Sequence, residues 1–466
     1  MKYHVVLFII LSSILFPSCK EELLTDKPNF IIILTDDQGY ADVGFNGCRD
    51  IPTPHIDRIA ANGVKFTDAY VSYSVCGPSR AGLITGRYQD RFGFGRNPLF
   101  AANDSLMGLA LTEETIADFT GREGYRTKAI GKWHLGAHAS LRPLKRGFDE
   151  FFGFLTGGHQ YFPEEWTLQD LSGVKAQYDA YRTKILDNDQ RIEETEYLTD
   201  ALSREAVSFV EENSKNPFFL YLAYNAPHGP LQATQEYLAR FDNIKDPKRK
   251  TYAAMVSAVD DGVGLLLDKL EELGILENTL VFFLSDNGGP EHVNGSDNSP
   301  LRDGKGSLFE GGVRVPFAMM WQNGIKGPLV YDQVVSSLDI AATIAVHAGA
   351  SPANKLDGVD LIPYVSGKNS GSPHEYLFWR KFDQKAYAVR AGQMKLVNDR
   401  KVKDGLFNLE SDISEANELS DQNMADSLKK QKNLWEKEMV DPVFMGLGQD
   451  KEYSREHPER FTMEAY

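Results

Sequence analysis

Residues 29–34, with the sequence NFIIIL, form a continuous apolar run that leads directly into Thr35-Asp36-Asp37-Gln38-Gly39. Three further short runs that we interpret as strands end in the same way, in polar residues with chemically reactive side chains. They are residues 126–130 before Gly131-Lys132-Trp133-His134, residues 217–224 before Asn225-Ala226-Pro227-His228, and residues 280–284 before Ser285-Asp286-Asn287-Gly288-Gly289. Runs that are apolar at every position are typical of parallel strands with helices on both faces of the sheet.

Helical patterns separate these runs. Residues 252–273 place their apolar side chains on one stripe and are followed by Gly274, and residues 198–210 repeat the pattern more weakly. The alternation of strands and helices predicts an α/β fold, and ligands of such folds bind at the carboxyl ends of the strands.

The composition restricts the partners of the protein. The chain has 466 residues, 25% of them charged and 42% hydrophobic, as in soluble globular proteins. Its formal net charge of −16 argues against nucleic acid as a partner, because proteins that bind nucleic acid present a basic surface. An anionic ligand would need a local basic pocket within this acidic protein.

The N-terminus has the pattern of an export signal. Lys2 precedes an apolar run at 5–16, which is too short to span a membrane, and Ser18-Cys19 follows. We predict a lipoprotein-type signal peptide at residues 1–18, a lipid anchor on Cys19 and a tether at 19–26, which would place the protein on the outer membrane at the cell surface. The alternative is simple export to the periplasm with Cys19 discarded or idle. We expect contact with a membrane only through the predicted lipid.

One cysteine lies in an unusual context, Cys76-Gly77-Pro78-Ser79-Arg80, and the run continues as Ala81-Gly82-Leu83-Ile84-Thr85-Gly86-Arg87. This stretch resembles the site at which type I sulfatases oxidise a cysteine to formylglycine, an aldehyde also called 3-oxoalanine. The ordinary alternatives for Cys76 are a buried thiol or a redox-active thiol. Neither alternative explains the nearby Pro78 and Arg80. With Cys76 modified and Cys19 lipidated, only Cys48 remains, so no disulfide is expected and Cys48 is interpreted as a small buried hydrophobe.

The resemblance covers the chain from Lys27 to its C-terminus. It implies an alkaline-phosphatase-like fold, with a large, mixed and mostly parallel sheet between helices in a catalytic domain of residues 27–370. It also implies a small C-terminal subdomain, residues 371–466, with an antiparallel sheet and one helix. Short apolar runs fit that subdomain at 376–379, 386–390 and 395–397, as does a helical pattern near 426–439.

Oxygen ligands follow two of the apolar runs. Asp36 and Asp37 end the first run, and Asp286 and Asn287 end the last. Either pair alone is typical of a turn, whereas the two together favour a site for a hard cation such as calcium or magnesium. By resemblance the ion is a single Ca²⁺, completed by the modified Cys76 and by the sulfate of the substrate.

The resemblance also implies roles for the charged residues of the motifs. The hydrated aldehyde at residue 76 attacks sulfur and later expels sulfate from a sulfated-enzyme intermediate, and Arg80 holds the hydrate rather than forming a surface salt bridge. Lys132 and His134 lie two apart in an extended segment and point the same way. By resemblance Lys132 binds sulfate, and His134 removes a proton from the hydrate. His228 is either a capping or core histidine or the general acid for the leaving alcohol.

Lys305 begins a K-G-x-x-x-E-G-G-x-R block that the family shares. There the lysine grips sulfate, and Glu310 and Arg314 are expected to brace the loop. Residues 153–189 vary within the family and are predicted to line the outer cleft. His159 in this segment either contacts the sugar or is structural.

These features predict a sulfuric ester hydrolase that acts on a sulfated saccharide. Its partners would be that saccharide and a maturating enzyme of the formylglycine-generating or anaerobic type. Arg80, Lys132 and Lys305, together with the ion, would supply the basic pocket that the composition demands. The alternatives are a formylglycine-dependent phosphodiesterase or phosphonate hydrolase, and a glycan-binding lipoprotein without turnover. The sugar, the sulfate position, exo or endo action and the oligomeric state are not readable from the sequence.

Overall fold

A ten-stranded sheet forms the centre of the computed structural model, which describes residues 27–169, 171–400 and 402–461. The described strands are β1 (Asn29–Thr35), β2 (Val64–Phe66), β3 (Ala69–Tyr70), β4 (Arg126–Lys132), β5 (Glu150–Phe154), β6 (Leu186–Asp187), β7 (Gln190–Arg191), β8 (Phe218–Ala223), β9 (Thr279–Ser285), β10 (Phe317–Met320), β11 (Leu329–Tyr331), β12 (Val335–Ser336), β13 (Leu377–Lys381), β14 (Ala386–Ala391), β15 (Met394–Asp399) and β16 (Val402–Asn408). The large sheet has the order β11-β2-β10-β9-β1-β8-β4-β5-β6-β7.

The middle of this sheet is parallel. Strands β9, β1, β8, β4 and β5 all run in the same direction, whereas β10 and β6 pair antiparallel with their neighbours β9 and β5. Every residue of β1 is buried, and its side chains alternate between two cores: Phe30 and Ile32 face one, and Ile31 and Ile33 face the other. A strand buried on both faces explains the continuous apolar run in the sequence.

Helices cover both faces of the sheet. The described α-helices are α1 (Pro54–Ala61), α2 (Cys76–Thr85), α3 (Ile116–Arg122), α4 (Leu198–Glu212), α5 (Gln235–Ala239), α6 (Pro247–Glu272), α7 (Glu291–Asn294), α8 (Glu310–Val313), α9 (Leu338–Ala348), α10 (Ile362–Val365), α11 (Gln422–Glu436) and α12 (Asp450–Glu456). Helices α1, α4 and α6 contribute to one core, and α2, α3 and α9 contribute to the other. The predicted α/β fold, mixed and mostly parallel, is confirmed.

The C-terminal part forms a second, smaller sheet. Strands β13, β14, β15 and β16 pair antiparallel in chain order, and α11 packs on them through Leu428. The predicted antiparallel sheet with one helix is therefore confirmed, while the boundary at residue 370 stays a prediction.

Several predicted bounds are off by a few residues. Helix α6 begins at Pro247 rather than at 252, because Asp246 caps it by accepting a hydrogen bond from the Arg249 amide at 2.9 Å. The signal peptide, Cys19 and the tether lie outside the described residues. In the described part of the chain, no helix combines the length and the apolar character that a membrane span requires.

Candidate active site

The carboxyl ends of four neighbouring strands supply most of the site. Asp36 and Asp37 follow β1, and Asp286 and Asn287 follow β9. His228 lies beyond β8, and Lys132 is the last residue of β4. Because these strands are parallel neighbours, their ends meet at one edge of the sheet.

Helix α2 brings Cys76 and Arg80 to this edge. Cys76 is the first residue of the helix and is buried, and the amide of Gly77 donates to Asn97 Oδ1 at 2.8 Å. Arg80 lies one turn later on the same side. Its Nε donates to Asp286 Oδ2 at 2.8 Å, and its Nη1 donates to the Lys132 carbonyl at 3.0 Å. The arginine of the cysteine motif is thus a buried link between two strand ends and not a surface salt bridge.

Four ligand atoms converge beside the helix. One atom each from Asp36, Asp37, Cys76 and Asp286 lies within 4.8 Å of the others. Asn287 donates from Nδ2 to Asp37 Oδ1 at 2.7 Å, but its buried Oδ1 has no hydrogen-bond partner among the described residues. A cluster of carboxylates with an unpaired amide oxygen fits a hard divalent cation such as Ca²⁺.

Two lysines flank the carboxylates. Lys132 Nζ donates to Asp36 Oδ2, and Lys305 Nζ donates to Asp37 Oδ2 at 2.7 Å. Burial would raise the pKa of Asp36, but Lys132 and the other cations outweigh burial and hold that pKa below its usual value. Burial, and then the charge of Asp36, raise the pKa of Asp286 to about 6.

The thiol of Cys76 is poorly suited to act as a thiolate. Burial, and then the carboxylate of Asp36, raise its pKa to about 12, because both disfavour a negative charge on sulfur. A reactive redox cysteine would have a lowered pKa instead. The environment of Cys76 therefore disagrees with the redox alternative.

Two histidines complete the site. His228 Nδ1 lies 2.6 Å from the Gly229 carbonyl, and its Nε2 lies 3.7 Å from Asp37 Oδ2. Burial lowers the pKa of His228, and the nearby carboxylates, Asp36 first, raise it in part. His134 is buried, and its Nδ1 has no hydrogen-bond partner among the described residues. Burial and then Lys132 lower the pKa of His134 well below its usual value.

The local geometry of the Lys132–His134 segment differs from the prediction. Lys132 belongs to β4 rather than to a loop, and His134 has a φ of 57°, in the left-handed region. The extended spacing argument is therefore wrong as a reason for bringing the two together. The backbone turns instead, and Gly157 provides the room: a Cβ on it would lie 2.8 Å from His134 Nε2.

The Lys305 loop is fastened to the C-terminal sheet. Glu310 is fully buried, and its carboxylate accepts hydrogen bonds from Lys395 at 2.7 Å, from Arg314 at 3.2 Å and from Tyr70 at 2.5 Å. Nearer to Lys305, the amide of Leu308 donates to a carboxylate of β15, that of Asp399, at 2.7 Å. Glu310 and Arg314 thus bind to each other and to residues that hold the Lys305 loop in place.

One sequence interpretation is wrong, and another is confirmed only in part. His159 is fully buried, with Nδ1 2.9 Å from the Gln160 carbonyl and Nε2 2.8 Å from the Thr183 carbonyl, so it has a structural role and does not contact a sugar. Cys48 packs against the hydrophobic core, but it is only half-buried, and its Sγ also donates to Asp50 at 3.3 Å.

Sequence reasoning missed Asn97 and Asn298. Asn97 holds the first turn of α2, and Asn298 donates to the Gly289 carbonyl at 2.8 Å and to the Asp303 carbonyl at 3.1 Å. Asn298 thereby joins the loop after β9 to the Lys305 loop. Neither belongs to a recognisable motif, and an asparagine in a loop is ordinary, so no local signal could have found them.

Comparison with known proteins identifies the family. A family profile described as Sulfatase matches residues 28–350, which is more than half of the chain. The chain belongs to the sulfatase family. A second profile, described as N-sulphoglucosamine sulphohydrolase, C-terminal, matches residues 303–440 of this sulfatase.

Individual relatives agree. The N-acetylgalactosamine-6-sulfatase of Mus musculus is 35% identical over 353 residues, which cover 72% of this sulfatase and 66% of the mouse protein. The chain thus spans slightly less than two thirds of that relative. The protein in the crystal structure of Ps i-CgsB in complex with k-i-k-neocarrahexaose is 40% identical in sequence to this sulfatase, and the two structures align with a TM-score of 0.86. The alignment covers 94% of this sulfatase and 100% of that chain. The phosphonate monoester hydrolase of Agrobacterium radiobacter, 19% identical with a TM-score of 0.62 over 88% of this chain and 95% of its own, shares the fold.

Proposed function

We propose that this sulfatase hydrolyses sulfate esters of a saccharide, using a formylglycine made from Cys76 and one bound Ca²⁺. The observation that carries the proposal is the buried cluster in which residue 76 lies among carboxylates and cations. Sulfated glycans as substrates are supported by the relatives, one of which is an N-acetylgalactosamine-6-sulfatase and another of which binds a neocarrahexaose.

The charges of the cluster support an anionic substrate. The carboxylates of Asp36, Asp37 and Asp286 are balanced by three cations, Arg80, Lys132 and Lys305. A bound divalent cation would therefore leave net positive charge at the site, which favours a sulfate ester despite the net charge of −16 of the whole chain.

The ion would be held by Asp36, Asp37, Asp286 and Asn287, and it would polarise a sulfate oxygen as a Lewis acid. Formylglycine, once hydrated, would supply an oxygen nucleophile that the protonated thiol of Cys76 does not. Arg80 is placed to hold the modified side chain. Lys132 and Lys305 are placed to bind sulfate oxygens, and His134 to accept a proton beside Lys132.

His228 is proposed to donate the proton that the leaving alcohol needs. Its ring is oriented by the Gly229 carbonyl at Nδ1, so Nε2 is the nitrogen that faces Asp37 and the site. Fixing one ring nitrogen selects the other for proton transfer.

The test is mass spectrometry of the peptide that contains residue 76, combined with measurement of released sulfate. Protein produced together with a maturating enzyme, of the formylglycine-generating or the anaerobic type, should carry the aldehyde and release sulfate from sulfated oligosaccharides. The Cys76→Ala variant is the matched control and should release none. An unmodified thiol in protein from its native host, with no sulfate released, would contradict the proposal. Preference for a phosphate ester over the sulfate ester of the same alcohol would favour a phosphodiesterase or phosphonate hydrolase instead.

We also propose that the protein is exported and anchored by a lipid on Cys19. The support is the apolar run at 5–16 followed by Ser18-Cys19. Labelling of cells with a radioactive fatty acid should mark the wild type and not Cys19→Ser. Equal labelling of both, or of neither, would contradict a lipid anchor on Cys19.

A further inference from the structure

The segment that contains Gly158 and Tyr181 reaches the candidate active site. Gly158 lies at the point where this segment meets the catalytic residues. A Cβ on Gly158 would lie 2.8 Å from Cε2 of Tyr181 and 3.1 Å from Nδ1 of His228. The side chains of Tyr181 and of His228, the proposed general acid, therefore both lie beside the backbone of Gly158.

The hydroxyl of Tyr181 has no hydrogen-bond partner among the described residues, although most of the ring is covered. This hydroxyl is not among the buried polar atoms that lack a partner, so it is open to solvent and can exchange a water molecule for a ligand oxygen. Burial raises the pKa of Tyr181, so the group stays neutral and can donate a hydrogen bond. An available donor next to His228 points to a substrate oxygen as its partner.

The backbone around Tyr181 is fixed. The amide of Gln160 donates to the Tyr181 carbonyl at 3.0 Å, and the amide of Leu168 donates to the Arg182 carbonyl at 3.0 Å. The buried ring of His159 lies 2.8 Å from the Thr183 carbonyl. The structural role of His159 is therefore to help hold the segment that presents Tyr181, and a side chain on fixed backbone binds with a smaller entropy cost.

An exposed aromatic ring extends this surface outward. Tyr178 is 66% exposed, and its ring meets that of Tyr181 at a centroid distance of 5.5 Å and an angle of 90°. A tyrosine ring offers a broad, rigid contact surface that is apolar on its faces and polar at its tip. The apolar C–H face of a sugar ring packs well on such a flat surface, while its hydroxyl groups remain in water.

We propose that Tyr181 and Tyr178 form a saccharide subsite of the active site. The Tyr181 hydroxyl donates a hydrogen bond to an oxygen of the sugar that carries the scissile sulfate, and the ring of Tyr178 packs against the next sugar. This inference rests on the proposed sulfatase function and specifies which part of the substrate the segment with Tyr178 and Tyr181 recognises.

The first experiment compares Tyr181→Phe with wild type on k-i-k-neocarrahexaose, on N-acetylgalactosamine 6-sulfate and on 4-nitrophenyl sulfate, which has no sugar. Loss of one hydrogen bond to a sugar should lower kcat/KM about tenfold on whichever saccharide the wild type cleaves, and clearly less on the aryl sulfate. Tyr376→Phe is the matched control, because Tyr376 also stacks on another ring, that of Phe378, but contacts none of the site residues. Equal losses on both substrate types, or no loss, would overturn the role of Tyr181.

The second experiment measures binding without turnover. Cys76→Ala protein is titrated with k-i-k-neocarrahexaose, alone and combined with Tyr178→Ala. The proposal predicts weaker binding of the hexaose, by about fivefold, with little change for N-acetylgalactosamine 6-sulfate, which is too short to reach Tyr178. Unchanged affinity for the hexaose would overturn the role of Tyr178. Wild type that cleaves aryl sulfate but no saccharide would contradict the subsite alone, and wild type that releases sulfate from nothing would contradict the proposed function.

Discussion

At the scale of single residues, three side chains meet on the carboxylate of Asp37. Lys305 binds it at 2.7 Å, Asn287 donates to it at 2.7 Å, and His228 lies 3.7 Å away. The positions of these groups follow from strand ends that the sequence pattern marks clearly. The left-handed turn at His134 depends on Gly157, which is distant in the chain, and the position of Tyr181 depends on how its own segment folds back beside His228. Neither follows from a local sequence pattern.

His228 provides a test of acid catalysis. We expect His228→Ala to lower kcat on a sugar sulfate by about 10²- to 10⁴-fold, because a sugar alkoxide leaves poorly without a proton. The loss should be much smaller on 4-nitrophenyl sulfate, whose leaving group is stable as an anion. Steady-state kinetics on both substrates check this, and equal losses would remove His228 from the acid role.

The unpaired Oδ1 of Asn287 leads to a prediction about the ion. Thorough chelation should abolish sulfate release, and Ca²⁺ should restore it, because the carboxylates would otherwise be neutralised only by Arg80 and the lysines. Asn287→Leu, which removes the amide oxygen at similar size, should raise the Ca²⁺ concentration needed for half-maximal activity. Full activity after chelation would show that no exchangeable metal takes part.

At the scale of elements, the loop after β9 and helix α8 touch through their backbones. A Cβ on Gly288 would collide with the carbonyl of Gly311, and the amide of Gly288 donates to the Gly312 carbonyl at 3.2 Å. The sequence shows the glycines but not their contact, because loops some twenty residues apart along the chain meet only in the folded sheet. What the sequence does predict well is β9, the strand that precedes both, since it is a continuous apolar run.

Gly288→Ala should therefore separate the loop after β9 from the Lys305 loop. We expect a loss of roughly 1–3 kcal/mol in the free energy of unfolding and a larger proportional loss of kcat, because backbone atoms must shift beside Asp286 and Asn287. Gly448→Ala is the control, since no atom lies near its added Cβ. Urea unfolding and sulfate release measure both effects. Wild-type behaviour of Gly288→Ala would show that the two loops move apart without consequence.

At the scale of the whole molecule, buried charges join the catalytic sheet to the C-terminal sheet. Lys395 Nζ lies 2.7 Å from Glu310 and 3.0 Å from Glu415, and all three side chains are fully buried. The sequence predicts both sheets, but not this contact, because Lys395, Glu310 and Glu415 read as ordinary surface charges. Only the packing of the two sheets makes one lysine the common partner of two carboxylates.

Lys395→Met should leave the buried carboxylate of Glu415 without a cation and that of Glu310 with Arg314 as its nearest one. The expected cost is about 3–5 kcal/mol in the free energy of unfolding, measured in urea. Adding Glu415→Gln should recover part of that loss, because the carboxylate that lost its cation is then replaced by a neutral amide. Losses in the double variant that equal the sum of the single ones would show that Lys395 and Glu415 do not interact.

A second link between the two parts depends on pH. His374, which lies just before β13, places Nε2 2.8 Å from Asp339 of α9. Burial alone would lower the pKa of His374, but the carboxylate of Asp339 outweighs it, and the pKa is raised. The folded protein therefore holds this proton more tightly than the unfolded chain does. The resulting stabilisation is complete below the unfolded pKa of about 6.5 and is lost as the pH rises through the higher folded pKa.

His374→Gln should accordingly destabilise the protein most at about pH 6, by roughly 1–3 kcal/mol, and least at about pH 9, where wild-type His374 is already neutral. Urea unfolding of wild type and variant across this range measures the difference. His292→Gln, at an exposed histidine, controls for the loss of an imidazole as such. If the difference in the free energy of unfolding between wild type and His374→Gln stays constant or grows with rising pH, the protonated ring of His374 does not hold the segment before β13 to α9.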